Sequence, residues 1–272
     1  TVYDLESARA FSAAAQAAGR RLRIHVKADT GMSRLGWLCD EGHRTEAADA
    51  IAAVCALPGL EVEGIYTHFA NADGDEAYTM GQFTRFLELL SELEGRGITF
   101  PIRHCAASAA VLKYPCTHLD MVRPGVALYG HYPDPSCEGL DGVGLRPVMA
   151  LKTRVASVKA VPAGTPVSYG CTHVLERDAE LAALTVGYAD GLPRLCSDQL
   201  EVLIRGQRAP IVGRVCMDMC MADATGLGAA PGDEVELFGE HLPVEDAAAL
   251  AGTIQYELLC AVSPRVPREY LN

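Results

Sequence analysis

The sequence predicts an α/β first half followed by an all-β second half, and three observations carry that expectation. Short β-rich apolar runs alternate with amphipathic helical stretches up to about residue 125. After Arg146 the texture changes to brief alternating runs cut by Gly, Pro and Asp. No internal repeat or low-complexity tract blurs the division, and the expected domains are residues 1–143 and 144–272.

Residues 4–18 place Leu5, Ala8, Phe11 and Ala15 on one helical face, and Gly19 closes that helix. The run RLRIHVKA (21–28) follows as a strand. Further strands are expected at EVEGIYTHF (61–69), TFPIRHCAA (99–107) and HLDMVRPG (118–125). Helices around 43–56 and 79–95 separate the first three, and 107–114 reads as a short one. Strands alternating with helices imply parallel βαβ units, because parallel neighbours need a crossover. In the second half MALKTRVASVKAV, LAALTVGYA, LEVLIRG and EVELFG read as antiparallel strands, with one late helix near VEDAAALAG. Four βα units alone leave an open sheet edge and an apolar inner wall, which argues that they belong to a larger closed structure.

The 272 residues, 49% of them hydrophobic, suffice for a sizeable core of ordinary soluble composition. No apolar run reaches the roughly 18 residues of a membrane span. The opening TVYDLESARA carries acids and no apolar stretch, unlike a signal peptide, and a start at Thr rather than Met suggests a lost beginning. A net charge of −12 argues against nucleic acid and against an anionic membrane surface, and otherwise means solubility. The ten cysteines are scattered without a Cys-x-x-Cys pair, Cys216 and Cys220 being the closest. They read as buried free thiols of a reducing cytosol rather than as disulfides or metal ligands, so the expected location is cytoplasmic.

Six motifs stand in order along the chain: KADTGMSRLG (27–36), HCAASAA (104–110), MVRPGVALYG (121–130), VSYG (167–170), VGRVCMDM (212–219) and TIQYELLC (253–260). Taken singly, each has an ordinary reading. Ser108 among alanines suits a helix N-cap, Arg123 before Pro-Gly suits a surface ion pair, and Tyr169 suits core or turn packing. Together, spanning nearly the whole chain, they resemble the alanine racemase family. Members of that family use pyridoxal phosphate to interconvert the two hands of alanine.

The resemblance implies a fold: the second half of a pyridoxal-phosphate-binding (β/α)₈ (TIM) barrel followed by a C-terminal β domain. It also implies that roughly the first four barrel strands, with the lysine that holds the cofactor, fall before residue 1. HVKAD (25–29) imitates the cofactor-lysine motif, but TGMSRLG follows where the family has Tyr-Gly-His-Gly. Lys27 therefore matches a different lysine, one carbamylated in many members and bracing an arginine, here Arg34. Lys113, Lys152 and Lys159 lie in no matching motif.

By the same resemblance Tyr169 is a catalytic base supplied by the partner subunit of a homodimer, with His68 as its helper. A free phenol is a weak acid near pH 10, so it needs such assistance. Arg123 donates to the pyridine nitrogen of the cofactor. Ser108, the N–H groups of Gly125 and Val126, and Tyr256 grip its phosphate. Arg34 and the N–H of Met217 take the substrate carboxylate, and Tyr188, Arg194 and Arg214 line the substrate corridor. Ala107-Ser108 departs from the family's usual Asn-Ser. No metal is implied, and the substrate is a small amino acid.

Two rivals stand beside this reading. One is the serine/alanine racemase type, a domain fused to a membrane module in glycopeptide resistance, although Tyr256 leaves little room beyond a methyl side chain. The other is a non-catalytic fragment, and without the cofactor lysine residues 1–272 alone are expected to be inactive.

Overall fold

The computed structural model describes residues 1–142 and 144–271. Val143, at which the first domain was expected to end, lies outside the described residues. The chain forms two compact units, Thr1–Leu145 and Arg146–Asn272.

In the first unit, α1 (Leu5–Ala17) starts where the Asp4 carboxylate accepts the Ser7 N–H at 2.6 Å. It leads into β1 (Leu22–Asp29), β2 (Trp37–Leu38), α2 (Arg44–Cys55), β3 (Leu60–Tyr66), α3 (Glu76–Gly95), β4 (Ile102–His104) and α4 (Ser108–Lys113). The sheet order is β2-β1-β3-β4 and every pairing is parallel. Parallel strands carry helices on their crossovers, and the C-terminal half of β1 is accordingly buried without alternation. Ala47, Ala48, Ile51 and Val54 of α2 and Phe83, Phe86, Leu89 and Leu93 of α3 supply most of the helical side of this core, at spacings of three and four residues.

Two expectations fail here for identifiable reasons. Phe11 does not face the core; it is 42% exposed, and Ser12 is buried in its place. The Ser12 hydroxyl accepts the Gly59 N–H at 3.0 Å, and a Cβ on Gly59 would stand 2.2 Å from the Ser12 carbonyl oxygen. Backbone meets backbone at that crossing, so a phenyl ring has no room there. The strand expected at 118–125 is also absent. Leu119 takes φ +49°, Pro124 offers no N–H, and Val126–Tyr129 winds into a 3₁₀ turn. Arg123 keeps one isolated parallel bridge, to Ala107.

The second unit contains β5 (Leu151–Val161), β6 (Pro166–Val167), β7 (His173–Val174), β8 (Ala179–Leu184), β9 (Glu201–Ile204), β10 (Gln207–Pro210), β11 (Cys220–Asp223) and β12 (Glu234–Phe238). Six of these form an antiparallel sheet in the order β10-β9-β12-β5-β8-β11, and β6-β7 is a separate hairpin. LEVLIRG ends as a strand at Ile204 because Arg205 and Gly206, at φ +53° and +74°, make a two-residue turn into β10. Two late helices appear where one was expected, α5 (Val244–Leu250) and α6 (Gln255–Ala261). Among the described residues no helix is long and apolar enough to cross a membrane. The ten cysteines are free thiols, but Cys116, Cys171 and Cys260 are exposed, which corrects the expectation that all are buried.

Phe86 is fully buried between α3 and the sheet. Replacing it with alanine deletes a core ring and leaves a cavity, so Phe86→Ala should cost about 3–5 kcal/mol in denaturant unfolding of the first unit. A loss below about 1 kcal/mol would show that this core is not where stability resides.

Candidate functional site

In the first unit the chemistry gathers beyond the C-terminal ends of the parallel strands. Asp29, the last residue of β1, folds the next loop around itself. Its Oδ1 accepts the N–H groups of Gly31, Met32 and Ser33 at 3.0, 2.9 and 3.1 Å. Gly36, at φ +111°, then turns back so closely that a Cβ would lie 2.6 Å from the Lys27 carbonyl oxygen. This loop carries Arg34. Helix α3 braces it: Arg85 donates to the Thr30 carbonyl at 2.9 Å and Tyr78 to that of Gly31 at 2.6 Å. Buried Gln82 ties it to the segment after β3, donating to Thr30 Oγ1 at 3.3 Å and to the His68 carbonyl at 3.2 Å.

Arg123 is the centre of this group. One terminal nitrogen donates to His104 Nδ1 at 2.5 Å. The other donates to the Thr67 carbonyl at 2.9 Å, to His68 Nδ1 at 3.1 Å and to the Cys105 carbonyl at 3.3 Å. The guanidinium also lies 5.0 Å over the Tyr66 ring, which stacks on His104 at 4.8 Å. Burial pushes Arg123 below its ordinary value, yet an arginine stays a cation. Both histidines are held neutral. Burial, then Arg123, then Arg34 and Lys27 bring His68 down to about 4. Burial, Arg123 and His25 bring His104 down to about 3. Lys27 Nζ lies 5.4 Å from the centre of the same Tyr66 ring, so two cations meet there in a chain whose net charge is −12, and exposed Arg34 is near enough to add to the lowering at His68.

Lys27 is 4% exposed and donates to the Ala28 carbonyl at 2.6 Å. Burial is the main reason it falls to about 8, with Asp29 opposing. Beside Arg123, Ser108 is buried at the head of α4, and its Oγ receives the N–H groups of Gly125 at 2.7 Å and Ala127 at 3.3 Å. Backbone donors and a hydroxyl next to a guanidinium, with cations beyond, make a donor set suited to a phosphate ester and a pyridine nitrogen. Lys27, Arg34, His68, Ser108, Arg123, Gly125 and Val126 all belong to this unit.

The remaining residues lie in the second unit, where three loops interlock. Tyr169 is 71% exposed on a segment in which Ser168, Gly170 and Cys171 all take positive φ, at +63°, +75° and +50°. Ser168, with ψ −173°, occupies a region of backbone space almost reserved for glycine. The Ser168 hydroxyl holds it there by donating to the Arg214 carbonyl at 2.7 Å, while the Arg214 guanidinium covers Gly170. The Tyr188 loop closes on the same segment: Tyr188 and Ala189 donate to the carbonyls of Cys216 and Met217 at 3.0 and 2.9 Å. A Cβ on Gly187 would stand 2.3 Å from the Cys216 carbonyl oxygen. Asp190 locks that loop to the segment that follows α6, accepting from Gly187 at 2.9 Å and from Arg265 at 2.6 Å, and α6 carries Tyr256. Arg194 is exposed on the 3₁₀ turn Arg194–Cys196.

Sequence reasoning passed over His104, His25, Tyr66 and Ser168. His104 heads the quoted HCAASAA motif and Ser168 sits inside VSYG, so the motifs held the signal without assigning the role.

Residues 1–133 match the family model described as alanine racemase, N-terminal domain, and residues 148–270 match alanine racemase, C-terminal domain. The alanine racemase of Desulforamulus reducens is 50% identical over 275 residues, covering 100% of this chain and 73% of that protein. The alanine racemase of Methanococcus maripaludis is 46% identical over 278 residues, again covering 100% and 73%. Among solved structures, the alanine racemase from D-cycloserine producing Streptomyces lavendulae superimposes with a TM-score of 0.92 at 39% identity, over 100% of this chain and 72% of that one. The alanine racemase from Bartonella henselae with covalently bound pyridoxal phosphate gives 0.84 at 29% identity, over 99% and 72%.

The two neutral histidines set a pH dependence. Above their ordinary value of 6.5 neither folded nor unfolded chain is protonated there. Below it the unfolded chain takes up protons that the folded one refuses until about pH 4 and 3, so stability falls as pH falls. The loss approaches about 1.4 kcal/mol per pH unit for each histidine. Unfolding free energies at pH 6.5 and 5, compared with His68→Gln and His104→Gln, should show each substitution removing about half of this slope. Unchanged slopes would mean that the histidines titrate normally.

Proposed function

Because the chain belongs to the alanine racemase family, we propose that it interconverts L- and D-alanine with pyridoxal phosphate as cofactor. The relatives' names favour neither the serine-preferring nor the non-catalytic alternative, and both are set aside. The observation that carries the proposal is the placing of Lys27 Nζ and the Arg123 guanidinium 5.4 and 5.0 Å from the centre of one ring, Tyr66, with Arg123 bonded to neutral His68, in an otherwise acidic protein. We read residues 1–143, which lie within the first unit, as the second half of the family's barrel, and residues 144–272 as its β domain.

Pyridoxal phosphate, when bound, supplies an electron sink that loosens the proton on an amino acid's α-carbon. Ser108 Oγ and the N–H groups of Gly125 and Val126, with the Tyr256 phenol, would hold its phosphate. Arg123 would donate to its ring nitrogen and, as a permanent cation, keep that nitrogen from gaining a proton. Arg34 and the Met217 N–H would take the substrate carboxylate and fix which bond faces the base. Tyr188, Arg194 and Arg214 would line the path inward.

Tyr169 would hold and deliver the α-proton on one face of the substrate. In a homodimer it would serve the site of the neighbouring protomer. His68 can assist only from one side. Its Nδ1 accepts from Arg123, so its proton is on Nε2, and it can donate to a phenolate oxygen. Lys27, brought to about 8, has an appreciable neutral amine fraction near neutrality, and the neutral amine is the form that adds carbon dioxide. A carbamate there would turn a third cation into an anion facing Arg34. The lysines at 27, 113, 152 and 159 match no cofactor-lysine motif, so no residue is named for the opposite face. Ten unpaired thiols fit a reducing cytoplasm, the proposed location.

Racemisation followed by loss of L-alanine optical activity, with pyridoxal phosphate supplied and measured on a protein that carries the cofactor lysine as well as residues 1–272, tests the reading. Tyr169→Phe should lower kcat by about 10²–10⁴-fold, the usual worth of a proton-transfer group, with KM little changed. A variant within threefold of wild type would remove Tyr169 from the mechanism. Arg34→Gln should instead raise KM for alanine by about 10–100-fold, as loss of a charge-assisted hydrogen bond does. An unchanged KM would place the carboxylate elsewhere.

A further inference from the structure

Behind Arg123 runs a line of side chains that the proposed reaction does not use. His104 Nε2 lies 2.8 Å from His25 Nδ1, and their rings are 5.0 Å apart between centroids. His25 Nε2 in turn lies 3.4 Å from Glu63 Oε2, and Glu63 Oε1 receives the Arg23 guanidinium at 3.1 Å. The line crosses three neighbouring strands, β4, β1 and β3, from a half-buried guanidinium to a half-buried carboxylate.

Donor and acceptor chemistry gives this line one direction. A guanidinium only donates, so His104 Nδ1 must present a lone pair to Arg123. A neutral imidazole has one N–H, so that of His104 is on Nε2 and points at His25. His25 Nδ1 must then accept, which leaves its proton on Nε2, facing the carboxylate of Glu63. The reverse order fails at once: a proton on His104 Nδ1 would meet an arginine N–H at 2.5 Å. The 3.4 Å gap to Glu63 is long for a hydrogen bond, but a carboxylate there still favours the one tautomer that puts N–H toward it.

We propose that Glu63 is a positioning residue which, by facing the N–H at the far end of this line, anchors the His25 and His104 rings that aim and polarise Arg123. It touches neither substrate nor cofactor. Its effect is to keep the Nδ1 lone pair of His104 turned toward the guanidinium, so that the remaining N–H groups of Arg123 keep one orientation. The consequence for turnover rests on the reading given above; the tautomers themselves do not.

Nitrogen-15 NMR of the histidine side chains in the intact chain tests this without turnover, and kcat and KM for alanine test the consequence. In the wild type, His104 and His25 should both carry their proton on Nε2. Glu63→Leu, a change on a half-buried position, should leave the proton on His25 Nε2 but shift that nitrogen's resonance, because its acceptor is gone, and lower kcat by roughly 3–10-fold with KM unchanged. Glu63→Gln, which keeps an acceptor oxygen, should restore the Nε2 resonance and most of kcat. A proton on His104 Nδ1 in the wild type overturns the proposal. So does a Glu63→Leu variant in which either the His25 Nε2 resonance or kcat stays as in the wild type. If the wild type shows no racemisation, that failure belongs to the proposed function, and the histidine resonances alone decide the relay.

Discussion

A permanently charged guanidinium in a place poor in water is the constraint around which the first unit is arranged. Removing Arg123 from solvent costs several kcal/mol unless its N–H groups are met, because no proton can be shed to escape the cost. The chain meets them with two backbone carbonyls, two imidazole nitrogens and the face of a tyrosine ring. These groups come from the ends of two neighbouring strands, β3 and β4, or from the residues just beyond them, so those strands have to be in register before the arginine can be satisfied. Burial first, and then the charge of Arg123, keep His68 and His104 neutral. A second charge beside Arg123 would be repelled, and a neutral ring is the one form that can accept.

The second unit solves a different problem, that of presenting side chains outward at fixed spacing. Its three loops are joined largely at backbone carbonyls: those at 216 and 217 take N–H groups at 188 and 189, and that at 214 takes a serine hydroxyl. Such joints fix the Cα positions of Tyr169, Tyr188 and Met217 while leaving their side chains exposed. The glycine at 187 is part of this device, since any larger residue would push two carbonyls away from it.

Much of this was legible in the sequence, and the limits have physical causes. The helices at Arg44–Cys55 and Glu76–Gly95 announced themselves through apolar spacing, and β1 and β3 through dense apolar runs. HLDMVRPG looked like a strand because its apolar residues sit well, but Pro124 and the left-handed Leu119 deny it a ladder. Phe11 failed for a reason no periodicity records, the close backbone approach of Gly59. The motifs named residues of both units, yet they could not show the partners of Arg123. His25 and His104 are 79 positions apart and meet only because β1 and β4 flank β3 in one sheet. Ser168 gave no warning either, because serine is rarely asked to hold a glycine's backbone geometry.

That geometry at Ser168 has an energetic corollary. With left-handed residues before and after it, the Tyr169 segment has already been ordered within its own unit, at a cost of about 1–3 kcal/mol for each unfavourable residue. Any surface that settles over the exposed phenol would find a finished shape and would owe nothing further for loop ordering. Its affinity would then be governed by the area it covers and by protein concentration, so that dilution could release it without loosening a single turn.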